Sequence, residues 1–256
     1  MKIIDAHTHP FLNELERTGA YGEFITDMDY FADDMARSGI EHFCGSVIRH
    51  IDGTEWAPVQ EMNRHALAIW EKFPDTYTPG FHIHPNFPKE SCEEIEYMAS
   101  RGVKLIGELV PYFMRWRSYA DPRLEEVFHL AEEKGMTVNV HPTDDEDLEA
   151  FMNKYPKLSI IVAHPRDGKD YMENLARLER HPNVNLDLSG TGMFRYGMLR
   201  HGVKKLGSER FLFGTDYPIC NPGMYVEAVL FEKITDEEME NIFQKNAERL
   251  ILHKEL

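Results

Sequence analysis

Two histidines spaced two apart close the opening stretch Met1-Lys2-Ile3-Ile4-Asp5-Ala6-His7-Thr8-His9, just before Pro10. An apolar pair running into His-x-His reads as a strand whose end carries two imidazoles. Residues two apart in a strand share a face, so His7 and His9 project the same way. Two neutral imidazoles on one side form half of a transition-metal site. Asp5 has the same parity, which makes it a candidate to orient one of them. Other ionisable residues also end apolar runs: Glu108 after Leu105-Ile106-Gly107, His141 after Val140, His164 after Val162-Ala163, and Asp216 after Gly214-Thr215. A lone histidine in such a place is more often a satisfied core or rim residue. Beside His7 and His9 the balance turns toward ligation. Unpaired carboxylates there are costly, so Glu108 and Asp216 need a cation or several donors. His82 and His84 repeat the His-x-His spacing at the end of a third run. With the other ligands sufficient, these two are expected to pack or to line a pocket.

The elements that must position these groups alternate regularly. Strands are expected at His42 to Ile48, Tyr77 to Ile83, Val103 to Val110, Met136 to His141, Ser159 to His164, Val184 to Ser189 and Phe211 to Asp216, following the one that ends in His9. Between them lie stripes at helical spacing: Asp27 to Ser38, Pro58 to Phe73, a helix closed by Gly102, one closed by Gly135, Leu148 to Tyr155, Tyr171 to Arg180 and Gly197 to Leu206. Ser91-Cys92-Glu93-Glu94 predicts a capping box opening the third helix, and Asp121-Pro122 an N-cap with proline at the first helical position. Thr235-Asp236-Glu237-Glu238 opens the last helix in the same way. Eight strands alternating with helices predict parallel βαβ units closed into a single (β/α)8 TIM barrel over residues 1-256. A doubly wound open sheet is the runner-up. In a barrel the active site lies where the strands end, which is where the six candidate ligands fall. Thr137, Asn139 and His141 alternate with apolar neighbours, as do Asn185, Asp187 and Ser189. Strands covered on both faces normally read as continuous apolar runs, so a polar lumen with a metal and its supporting groups is indicated.

Composition sets the outer limits. The chain has 256 residues, and no apolar run approaches the ~20 needed to span a bilayer, so no membrane role is expected. The strand that begins at once leaves no room for a secretion signal, which makes the cytoplasm the expected location. Cys44, Cys92 and Cys220 are widely spaced with no CxxC, and buried reduced thiols are their expected state. A net charge of -16 argues against nucleic acid as a partner. Self-association into a homo-oligomer is compatible with the sequence.

Taken together, Ile4-Asp5-Ala6-His7-Thr8-His9, Val162-Ala163-His164, Leu212-Phe213-Gly214-Thr215-Asp216-Tyr217-Pro218 and Asn246-Ala247-Glu248-Arg249-Leu250 resemble the motifs of the amidohydrolase superfamily, in its amidohydrolase-2 branch of metal-dependent hydrolases and decarboxylases. The resemblance covers the whole chain. It implies one or two divalent ions, most often zinc, held by His7, His9, His141, His164 and Asp216. Glu108 departs from the single-ion decarboxylases of the branch; relatives similar to the TatD nucleases use an acid there to hold a metal pair, which favours two ions bridged by Glu108. The expected reaction is attack of a metal-activated water on an ester, lactone or amide, with Asp216 as general base and later acid. Arg49, Arg115, Arg117, Arg166 and Arg195 all follow strands, and arginine suits carboxylate or phosphate contacts, so a small anionic substrate is expected. Tyr112, Trp116 and Tyr196 could wall the pocket. The alternatives are a decarboxylase or hydratase on the same scaffold, a TatD-like nuclease and a non-catalytic metal-binding protein.

Overall fold

Short apolar strands separated by one-sided helices bury both faces when they close into a barrel wrapped by helices, and the chain takes that form. The computed structural model describes residues 1–19 and 24–254. The strands are β1 (Ile4–Thr8), β2 (His42–Gly45), β3 (Tyr77–Phe81), β4 (Leu105–Leu109), β5 (Thr137–Val140), β6 (Ser159–Val162), β7 (Val184–Asp187) and β8 (Phe211–Leu212). They form one parallel sheet in sequence order. The sheet closes on itself: Ala6 N donates to Phe213 O, Asp216 N to His7 O and His9 N to Tyr217 O, each at 2.8 Å. This closure rules out the open-sheet alternative and makes the fold a TIM barrel.

Helices α1 (Met28–Arg37), α2 (Ala57–Lys72), α3 (Pro88–Ser100), α4 (Glu125–Glu133), α5 (Asp145–Lys154), α6 (Gly168–Arg180) and α7 (Met198–Leu206) follow the first seven strands. After β8 come α8 (Pro222–Leu230), α9 (Asp236–Glu240), a π-helical turn at Asn241–Lys245 and α10 (Asn246–Leu250). Outward strand residues such as Ile106, Val138, Ile160 and Leu186 share the main core with Phe31, Phe128 and Phe151. Ile4, Ala6, Cys44, Leu105, Ile161 and Leu212 meet inside the lumen, where Ala247 and Leu250 of α10 join them. Packing therefore plugs the barrel at the end away from the candidate ligands. Among the described residues, no helix is long and apolar enough to cross a membrane.

Several local expectations are corrected. The third helix begins a turn earlier than Ser91, with Pro88 in its first turn. Ser91 instead turns its hydroxyl onto the preceding loop, accepting from His84 N at 2.9 Å and contacting His84 O at 3.2 Å. Asp121 does cap, accepting from Arg123 N, but the turn it opens is a 3-10 helix at Pro122–Leu124 that precedes α4. At Thr235 the reciprocal capping box forms as expected. Helix α8, capped by Asn221, is an element that the sequence reading did not anticipate.

Two irregularities decide what faces the lumen. Between Asp5 and Thr8 the register of β1 against β2 shifts, three residue steps on one strand matching two on the other. Ile4 and Ala6 thus pack in the lumen, and Asp5 does not share the face of His7 and His9. An equivalent shift in β4 lies between Ile106 and Leu109, both of which belong to the outer core. The extra residue turns Glu108 inward; by plain alternation it would have the outward parity of Ile106.

Candidate metal centre

At the mouth of the barrel the ends of five strands bring six ionisable side chains together. His7 Nε2 and His9 Nε2 lie 3.3 Å apart. Asp216 Oδ1 is 3.6 Å from the first and 3.2 Å from the second. Glu108 Oε2 is 3.4 Å from both. Its other oxygen, Oε1, is 2.9 Å from His141 Nδ1 and 3.4 Å from His164 Nε2. The two oxygens of one carboxylate therefore face two different sets of ligands. His7, His9, Glu108, His164 and Asp216 are buried, and only His141 is partly open, at 21%.

The polypeptide holds these groups by giving up regular strand geometry at the mouth. His164 and Asp216 both have positive φ, 66° and 67°, in the left-handed region that costs a non-glycine residue energy. Behind the ligands, polar groups fix their orientation. His9 Nδ1 faces Ser46 O at 3.2 Å, and His7 Nδ1 faces Asp187 Oδ2 at 2.8 Å. The Tyr119 hydroxyl lies 2.9 Å from both Leu109 O and His141 O and shares its one proton between them, tying the ends of β4 and β5. Asp5 does not orient either imidazole. It accepts from the backbone N–H groups of His7 and Thr215 and from the Thr215 hydroxyl, locking β1 to the β8 segment, and burial pushes its carboxyl up to about 7. The residue that sequence reasoning missed is Asp187. Its signal was its polar parity in β7 with Asn185 and Ser189, although nothing in the chain assigns it to His7.

The electrostatics call for positive charge. Burial opposes charging His9, yet its contacts with Asp216 and Glu108 outweigh burial and raise its pKa to about 9. His7 is likewise held well above its usual value against burial by Asp187 and Glu108, and His164 is raised by Glu108. Burial works against the ionised forms of Glu108 and Asp187 too, but His7 draws the first well below the usual carboxylate range and the second down to about 2. The buried carboxylates of Glu108 and Asp187 are thus offset by protons on the imidazoles around them.

A divalent cation fits the same position. Asp216 Oδ1 is buried with no hydrogen-bond partner, aimed at His7 and His9. Spacings of 3.2–3.6 Å among these atoms match the edge of a tetrahedron, roughly 3.3 Å, for ligands at about 2.0 Å from a central ion. His7, His9 and Asp216 form one group with metal-ligand spacing, and His7, Glu108 and His164 another.

The residues expected to meet substrate divide. A cavity of about 310 Å³ above the centre is lined by His9, Glu108, His141, His164 and Asp216 on its floor and by Ile48, Val110, Tyr112, Phe113, Arg166 and Ile219 on its walls. Tyr112 and Arg166 are therefore at the cavity. Arg49 is drawn away to Glu61 of α2. Arg195 pairs with Asp167 at 2.9 Å and, with Tyr196, lines a separate groove beside α6. Arg117 is exposed and does not line the cavity, and Trp116 is buried against Tyr119. His82 and His84 pack away from the cluster, their Nε2 atoms each 2.8 Å from a backbone carbonyl, Val47 O and Met114 O.

The model of the amidohydrolase family matches residues 4–251. The chain belongs to this family. It is a family of metal-dependent enzymes. Among solved structures, this amidohydrolase is similar to an uncharacterized TIM-barrel protein from Bordetella bronchiseptica (TM-score 0.78, 20% identity, 98% of each chain). It is also similar to 2,6-dihydroxybenzoate decarboxylase from Rhizobium (TM-score 0.73, 19% identity, 98% of each chain). A third likeness is to a manganese-bound 5-carboxyvanillate decarboxylase from Novosphingobium aromaticivorans (TM-score 0.69, 17% identity, 97% of this chain and 96% of that one). At these identities the likeness is one of fold. Comparison with curated proteins finds no match.

Proposed function

We propose that this amidohydrolase is a metal-dependent hydrolase of a small anionic ester, lactone or amide, built around two divalent ions. The observation that carries the reading is the division of Glu108, whose Oε2 faces His7 and His9 while Oε1 faces His141 and His164. A carboxylate split in this way is suited to bridge a pair. His7, His9 and Asp216 would hold one ion and His141 and His164 the other, with zinc the first metal to test. When bound, the pair supplies Lewis acidity for water activation and carbonyl polarisation.

The protein's own groups do the rest. The Asp216 carboxylate, unpartnered at Oδ1 and open to the cavity, takes a proton from the attacking water and returns it to the leaving group. Arg166 on the cavity wall meets the substrate's anionic group, which suits a guanidinium fork. Tyr112, Phe113, Ile48, Val110 and Ile219 supply an apolar wall that seats the remainder and excludes water.

A second reading is favoured by one finding: two structures similar in fold are decarboxylases of aromatic acids. An aromatic carboxylate would suit the same walls and the same arginine. Elemental analysis of the purified protein, followed by turnover of a panel of carboxylated lactones, esters and aromatic acids in 18O-labelled water, separates the two. Two ions per chain and label in the product support hydrolysis. One ion and carbon dioxide release without label in the organic product would replace it with decarboxylation.

A further inference from the structure

Asp187 lies at the end of β7, fully buried, and does not line the cavity above the centre. Its Oδ2 faces His7 Nδ1 at 2.8 Å and Asn139 Nδ2 at 3.1 Å. Its Oδ1 faces Ser189 Oγ at 2.5 Å, Ser189 N at 3.1 Å and His164 N at 3.2 Å. Ser189 Oγ is in turn 3.0 Å from His164 Nδ1 and 3.1 Å from His7 Nδ1, and His7 has the shorter contact, 2.8 Å, with Asp187 itself. An ionised carboxylate only accepts, so every one of these neighbours must donate to it. His7 therefore carries its proton on Nδ1. The Ser189 hydroxyl spends its single proton on Asp187, which leaves its oxygen to accept, and His164 must then also be protonated on Nδ1. When the rings are neutral, as ligation of a cation requires, each keeps its lone pair on Nε2, the atom that faces Glu108.

We infer that Asp187 and Ser189 are positioning residues that set the tautomers of two histidines in different halves of the centre, His7 directly and His164 through the Ser189 hydroxyl. The inference rests on the reading of a cation at this centre, and it adds a division of labour. Oδ2 governs the half containing His7, and Oδ1 with Ser189 governs the half containing His164.

Two substitutions exploit that division. In D187N the amide oxygen has to face the three donors on the Oδ1 side, because an NH2 group there would meet only other donors. The NH2 group then faces Asn139, whose amide turns its otherwise unpartnered Oδ1 to accept, and His7 Nδ1, which must also accept, so the His7 proton moves to Nε2 and blocks ligation, while His164 keeps its tautomer. In S189A the reverse holds: His164 loses its acceptor, whereas His7, which loses the hydroxyl at 3.1 Å, keeps Asp187 Oδ2 at 2.8 Å and with it the proton on Nδ1.

The test is histidine 15N–1H NMR on the Zn2+-loaded wild-type protein and both variants, with Zn2+ affinity measured under chelator buffering. Expected are Nδ1–H on both His7 and His164 in the wild type. D187N should move His7 alone to Nε2–H, and S189A should release His164 alone, each weakening Zn2+ binding by about 10–100-fold. An Nε2–H proton on either histidine of the loaded wild type overturns the inference. So do variants that change both rings together, or neither. If D187N does not fold, the wild-type tautomers and S189A decide. A wild-type protein that binds no Zn2+ or Mn2+ at all is a different outcome, and it defeats the metal reading itself.

Discussion

Stripping the metal should reverse the way stability depends on pH. In the metal-free protein His9 has its pKa raised from 6.5 to about 9, because Asp216 and Glu108 outweigh the burial that opposes its charge. A group whose folded pKa is raised contributes stability that is complete below the unfolded value and is lost as pH climbs through the folded one. The window is therefore 6.5 to about 9, and stability falls across it. A difference of that size is worth about 3 kcal/mol, which for a chain of this length is a drop in Tm of roughly 6–12 °C. His7, also raised, adds in the same direction. With divalent cations bound the slope changes sign: deprotonated imidazoles are the better ligands, so rising pH favours the loaded, folded state. Thermal melts of chelator-treated and Zn2+-loaded protein at intervals from pH 6 to 9.5 test this. H9N, which removes one of the two raised imidazoles, should make the metal-free curve shallower. A metal-free Tm that stays level or rises between pH 6.5 and 9 would refute the charge accounting given for the centre.

Three further expectations follow from single contacts. E108Q keeps the side chain's shape but removes the charge shared by four imidazoles, so metal analysis should find the complement reduced from two ions to one; two tightly held ions in E108Q would show that Glu108 does not bridge. G190A should cost activity far more than fold, because a Cβ at residue 190 would sit 2.4 Å from His164 Nδ1 at a φ of +62°; the conformational strain is about 1–3 kcal/mol, and an active, normally stable G190A would contradict the geometry. R166A should raise KM for an anionic substrate by about 10–100-fold, the worth of one charged hydrogen bond, with a smaller change in kcat. An unchanged KM would place the anion-binding group elsewhere.

The barrel was legible because its signal is repeated eight times: an apolar run, a turn, a one-sided helix. The six residues at the centre were legible for a related reason, since ionisable groups that end apolar runs in a closed parallel barrel have only one mouth to share. What failed was local parity. Counting by twos assigned Asp5 to the face of His7, whereas the register shift in β1 takes it to the backbone of the β8 segment, and the ring it was expected to orient is held by Asp187 instead. The same counting would have sent Glu108 outward with Ile106, and only the shift in β4 brings it to the histidines. The arginines illustrate a second limit. Placement after a strand puts a guanidinium at the right end of the barrel, but Arg49 and Arg195 are captured by Glu61 and Asp167, partners whose nearness the sequence does not display. Bulges and competing ion pairs are three-dimensional events. Both act on this centre, one by turning a carboxylate toward it and the other by keeping two cations away, and so, among the described residues, Arg166 is the one arginine that lines the cavity above the centre.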